Sequence, residues 1–131
     1  MTSSDENELP PAVEPNVIST LVEMLGIDDD EILIELIDAF LNDTSNLIGR
    51  LEPEWAANNK QEVMLIAHSM KSTSATFCAQ RLSRLTGTLE LELRNGGDSL
   101  DIADHITQIQ QEYIRVREAL LQERKTLVDR L

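Results

Sequence analysis

The sequence predicts an all-α fold, an antiparallel up-down-up-down four-helix bundle with a short additional N-terminal helix. Apolar residues recur every three or four positions through four long stretches. Short breaks at Gly26, Asn58-Asn59, Cys78 to Gln80 and Asn95-Gly96-Gly97 separate the helical segments, and short turns make successive helices antiparallel neighbours. Leu and Ile dominate the apolar residues while aromatics are 3% of the chain, with 5 Gly and 4 Pro among 131 residues. That usage favours helix over sheet. There is no internal repeat, and no strand signal beyond short apolar runs.

Residues 1–15 are polar and acidic with three prolines, the composition of a flexible tail, which leaves 16–131 as the bundle domain. Asn16 is a candidate N-cap for a short helix carrying Val17, Ile18, Leu21, Val22 and Leu25, stopped by Gly26. Asp28, Asp29 and Asp30 open the next helix, placing negative charge at its positive end. Leu33, Leu36, Ile37, Phe40, Leu47 and Leu51 form its stripe, and Ile34, Leu41 and Ile48 add a parallel row. One reading is a helix with two packed neighbours; the other leaves Leu41 exposed near His68 as part of a docking surface. Pro53 breaks the pattern, with helix resuming toward Ala57.

A third helix begins near Lys60 and reaches about Phe77. Beyond the Cys78 to Gln80 break, Leu82, Leu85, Leu89 and Leu93 supply a fourth stripe, with Gly87 inside it as a place for close helix contact. From about Ser99, Ile102, Ile106, Ile109, Tyr113, Val116, Leu120 and Leu127 keep a four-three rhythm suited to bundle packing. The charged final turns are expected to project past the bundle, where they fray or pair with a second copy. A monomer is expected, because one bundle buries every stripe found.

Charge narrows the partners. The net charge is −13 and the pI about 4.4. Nucleic-acid binding requires cations that displace counterions, and anionic membrane surfaces make the same demand, so neither is an expected partner. One cysteine, Cys78, excludes an internal disulfide and fits a reducing compartment. No apolar run reaches membrane-spanning length, and Met1 leads into an acidic rather than a basic start. A cytoplasmic location follows as the expectation.

Chemistry concentrates on the third helix. At roughly 100° per residue, Val63, Ile66, Met70 and Phe77 oppose His68, while Met64, Lys71, Ser72 and Ala75 lie beside it on the outward side. His68 therefore stands on a rigid platform among small residues. Lys71, one turn on, is placed to meet an anion attached to the ring. No glycine loop with a Lys-Ser/Thr partner cradles a nucleotide. Neither His68 nor His105 sits in a metal-ligand spacing. His105, near Asp101, Asp104 and Gln108, reads as a solvated helix residue. Arg81 and Arg84 read as solubility and ion-pair residues.

The stretch AHSMKSTSATFCAQRLSRLTGTLE resembles the signature of histidine-containing phosphotransfer (HPt) domains. The match is carried by His68, Lys71, Ser74, Ala75, Ala79, Leu82, Leu85, Leu89 and Glu90, with Met70 a conservative replacement. Two departures stand out: the family usually has glycine where this chain has Ser72 and again where it has Cys78. Ser72 is small enough for close approach, and its hydroxyl can donate to a phosphoryl oxygen or bond back to the preceding turn. A Cβ at Cys78 adds roughly 1 kcal/mol if that position is left-handed.

The resemblance implies a phosphorelay carrier. His68 accepts a phosphoryl group from a receiver-domain aspartyl phosphate and passes it to another receiver, Lys71 offsets phosphoryl charge, and Met64, Ser72, Ala75 and Leu41 form the docking face. Partners are response-regulator receivers, with a hybrid sensor kinase as a further candidate; the chain needs no cofactor or metal, Mg²⁺ being supplied by the receiver. Such a protein is a regenerated phosphocarrier rather than a stand-alone enzyme. Two alternatives remain: a phosphoacceptor fragment of a chemotaxis-type kinase, which is similar around Ala67, His68, Ser69 and Lys71 and would be expected to carry ATP-binding and dimerisation domains beyond this sequence, and a helical scaffold that binds partners without taking phosphate.

Overall fold

The computed structural model describes residues 9–131, and all regular structure there is helical. The five helices are α1 (Val17–Leu25), α2 (Asp30–Ala56), α3 (Lys60–Thr76), α4 (Gln80–Arg94) and α5 (Ser99–Asp129). Among the long helices, α2 packs against α3 and α5, and α4 packs against α3 and α5. The core runs between them through Leu33, Ile37, Leu51, Met70, Leu82, Leu89, Ile102, Ile109 and Leu120, all essentially sealed from solvent. None of the described helices is long and apolar enough to cross a membrane.

Local chemistry accounts for the helix ends. Asp29 caps α2 by accepting from the Ile32 amide at 3.1 Å, and Asp98 caps α5 by accepting from the Leu100 amide at 2.7 Å. Asn16 occupies the α1 N-cap position, but its side chain makes no capping bond. The α3 end explains Cys78. There the Cys78 amide donates to the Ala75 carbonyl at 3.0 Å and the Ala79 amide to the Ser74 carbonyl at 2.9 Å, with Cys78 at φ 58°. This is a Schellman motif whose left-handed position normally takes glycine. Asn58 at φ 63° closes α2 in the same way.

Several expectations are corrected. Residues 1–8 of the expected flexible tail lie outside the described residues, but 10–15 are held on the bundle. Ala12 and Val13 are buried, the Glu14 amide donates to the Cys78 carbonyl at 3.0 Å, and Arg115 donates to the Pro10 carbonyl at 2.7 Å. Composition pointed to a tail, and two small apolar side chains with two backbone bonds outweighed it. Pro53 does not interrupt α2. It lies in the final turn, where the exposed Gly49 carbonyl it leaves without a bond can turn to water. The end of α5 does not project: Leu127 is buried, and Arg124–Asp38 and Arg130–Asp30 pairs tie it to α2.

The second apolar row of α2 is mostly packing surface. Ile34 is buried, while Leu41 and Ile48 are half-buried against the core. Leu41 offers its carbonyl to the Tyr113 hydroxyl of α5 at 2.9 Å. It therefore serves the α2–α5 contact and does not line the cleft beside His68.

Candidate functional site

His68 stands on the outward face of α3 with its side chain 69% exposed. Behind it Val63, Ile66, Met70, Ser74 and Phe77 are buried, and Phe77 stacks on Phe40 of α2 with ring centres 4.4 Å apart. The helix is thus anchored on one side and open on the other. Lys71, Ser72 and Ala75 are exposed on the His68 side, as expected, while Met64 is half-buried against the core. Ser72's carbonyl accepts from the Thr76 hydroxyl at 3.2 Å.

The facing wall of the site comes from α4, whose residues the apolar pattern passed over. His68 Nδ1 lies 2.9 Å from Glu90 Oε2, and the same oxygen accepts from Arg94 Nη2 at 2.8 Å. Glu90's side chain is only 8% exposed. The Arg94 guanidinium, and after it His68, hold the Glu90 carboxyl below the usual carboxylate range, against the upward push of burial. A carboxylate can only accept, so in the neutral imidazole the proton sits on Nδ1 and the lone pair on Nε2. The ring is oriented, and its outer nitrogen is the nucleophilic one.

Ser83, Gly87, Glu90 and Arg94 follow a 4-3-4 spacing on α4 and so share one face. Ser83 Oγ donates to the Lys71 carbonyl at 2.8 Å, and Gly87 lies against the Lys71 side chain. His68, Lys71, Arg84, Gly87, Thr88, Glu90, Leu91 and Arg94 line the shallow cleft between α3 and α4. Arg84 therefore belongs to this cleft rather than to a generic solvated face. Among the described residues, neither Lys71 nor Arg84 is paired with a carboxylate. Two large apolar side chains near the imidazole also escaped the sequence reading: Leu65 is 54% exposed and Leu91 is 58% exposed.

The signal that would have found Glu90 is its position. It sits between Leu89 and Leu93, where a charged residue on a burying face needs a partner. The same reasoning applies to Glu112 on α5, which is 2% exposed and contacts Arg81 at 3.2 Å and Arg115 at 2.8 Å. Arg81 thus makes an ion pair, as expected, but with a buried carboxylate on α5 rather than at a solvated surface. His105 is half-buried with an unpartnered Nδ1, rather than solvated.

Fold and site together define a class: a helical bundle that displays one exposed imidazole, oriented by a buried carboxylate. The Hpt domain model matches residues 35–119, and the chain belongs to that family. Among solved structures it is similar to histidine-containing phosphotransfer protein B from Pseudomonas aeruginosa. The identity is 25% and the TM-score 0.78, over 90% of this chain and 98% of that one. No curated protein matches the sequence.

Proposed function

We propose that this protein is a phosphorelay carrier that takes a phosphoryl group on His68 from a receiver-domain aspartyl phosphate and gives it to a second receiver. The single observation that carries the reading is the His68–Glu90 contact, which frees Nε2 on a side chain open to a large partner. The Nε2 lone pair forms the new N–P bond as the P–O bond to the aspartyl carboxylate breaks, and the carboxylate leaves with that electron pair. The Nδ1 proton stays in its bond to Glu90. Attack makes the ring cationic, and the Glu90 carboxylate compensates that charge where it appears. Lys71 offsets charge on the phosphoryl oxygens.

Receiver domains dock over the exposed face of α3 and the cleft edge of α4, with Leu65, Ser72, Ala75 and Leu91 as contact surface. A hybrid sensor kinase is a further partner through its receiver, and Mg²⁺ belongs to the receiver. The protein acts as a monomeric cytoplasmic phosphocarrier without an ATP site, and its domain extends from about residue 10 to the end of α5. The antiparallel up-down-up-down arrangement is supported along α3 and α4: Lys71 meets Ser83 and Gly87, whereas the earlier His68 meets the later Glu90.

Incubation with a phosphorylated receiver tests the reading. An acid-labile phosphoryl group should move to this chain, and His68→Gln should abolish the transfer. Transfer persisting in that variant removes His68 from the role, and receiver binding without acceptance makes the protein a scaffold.

A further inference from the structure

Gly87 sits in the middle of α4, where glycine weakens a helix relative to alanine. Its backbone does not require glycine, since the positive-φ glycines of the described chain are Gly26 and Gly96. What it leaves open is space for one side chain. A Cβ built at Gly87 would lie 3.3 Å from Lys71 Cδ, 3.6 Å from Cε and 3.9 Å from Cγ. The stem of Lys71 thus lies over the bare Cα of the facing helix. Its carbonyl is tied to Ser83 one turn earlier on α4, and no carboxylate among the described residues holds its ammonium. Helix contact, rather than an ion pair, sets where this cation stands.

We propose that Gly87 is a positioning residue: its missing side chain forms the bed that directs the Lys71 ammonium toward the phosphoryl group on His68. This deepens the carrier reading and rests on it. Arg94 and Arg84 also border the cleft, but Arg94 is engaged with Glu90. Lys71 is three residues from His68, about one turn, and so within reach of a group on the imidazole. A methyl group at residue 87 pushes the stem outward by a few tenths of an ångström. Since a full ångström of misplacement can cost about a hundred-fold, a loss of roughly three- to ten-fold in transfer rate is expected.

The test compares Gly87→Ala with the wild-type chain for transfer from a phosphorylated receiver, thermal melting, and NMR of the Lys71 side-chain methylenes. Melting should be no lower than wild type. The rate at saturating receiver should fall while the half-saturating concentration holds, and the Lys71 signals should shift. In a Lys71→Ala background, Gly87→Ala should slow transfer no further. Wild-type transfer rate in Gly87→Ala, unshifted Lys71 signals, or an equal slowing in the Lys71→Ala background each overturns the assignment. If the wild-type chain accepts no phosphate, the carrier reading fails instead, and the NMR shift alone decides whether Gly87 positions Lys71.

Discussion

Replacing Glu90 by alanine separates the contribution of the oriented imidazole from that of the fold. The variant removes an acceptor 2.9 Å from His68 Nδ1 and the partner of Arg94 at 2.8 Å. A hydrogen bond to a charged group contributes about 1.5–3 kcal/mol. His68 is 69% exposed, so solvent screening favours the low end of that range. At about 1.4 kcal/mol per factor of ten, transfer should slow roughly ten-fold. Stability should change far less, because both Arg94 and His68 are exposed and rehydrate once the carboxylate is gone. A shift within about 1 kcal/mol, or roughly 4 °C in Tm, is expected. The assay is single-turnover transfer from a labelled phospho-receiver, quenched in alkali and run beside a thermal melt. Wild-type transfer by Glu90→Ala would refute the reasoning, and so would a large loss of Tm, which would make the carboxylate a fold element.

The same carboxylate predicts a pH dependence of stability. Glu90 is held below its ordinary value of 4.5, first by Arg94 and then by His68. A depressed acid stabilises the fold fully above that ordinary value, and loses its contribution as pH falls through the folded value. The contribution of the Glu90 carboxylate to the Tm difference between wild type and Glu90→Gln should therefore be lost as pH falls below about 4.5. At Cys78, the alanine and glycine variants both lose the thiol and differ by one Cβ at φ 58°. Cys78→Gly should exceed Cys78→Ala in urea stability by about 1 kcal/mol, and the reverse order would remove strain from the account of this turn. Glu112→Ala leaves two half-buried arginines without their shared acceptor. It should cost about 2 kcal/mol by urea unfolding, below the range for a fully buried pair because both arginines keep some water.

How much was legible beforehand follows from which residues repeat. Val63, Ile66, Met70, Leu82, Leu89, Leu93, Ile102, Ile106 and Ile109 all went to the core because apolar periodicity reports directly on burial. His68 could be placed on the outward face by the same arithmetic. That arithmetic did not give the roles of Glu90, Gly87 and Arg84: Glu90 was legible only as a match to the family signature, Gly87 only as a place for close helix contact, and Arg84 only as a charged surface residue. Their roles exist only once α4 lies against α3. Leu41 was ambiguous for a related reason: a second apolar row reads alike whether it meets solvent, a partner or the core, and its half-buried packing against the core supplied the answer. The segment at 10–15 misled through composition, since prolines and acids report on average tendency and not on the few contacts that dock a strap.

The Cys78 turn links the legible part to the hidden part. His68 and Glu90 are equally distant in sequence from Ala79, one on each side, and so are Lys71 and Gly87. Both site pairs are thus mirror positions about a single residue, the one whose amide closes the α3 Schellman motif on the Ser74 carbonyl. Adding or removing one residue there would turn α4 by roughly 100° relative to its register with α3, carrying Glu90 away from the imidazole. The conformation of that turn therefore matters more than the residue that adopts it. Cys78 takes the left-handed φ that glycine would take more cheaply, and both closing bonds form. The departure at Cys78 therefore strains the turn locally while leaving the His68–Glu90 and Lys71–Gly87 register intact. The exposed Ser72, by contrast, lies outside both pairs, on the outward side of α3. Of the two replacements, the one at Cys78 strains the turn that sets the register, and the one at Ser72 stands apart from it.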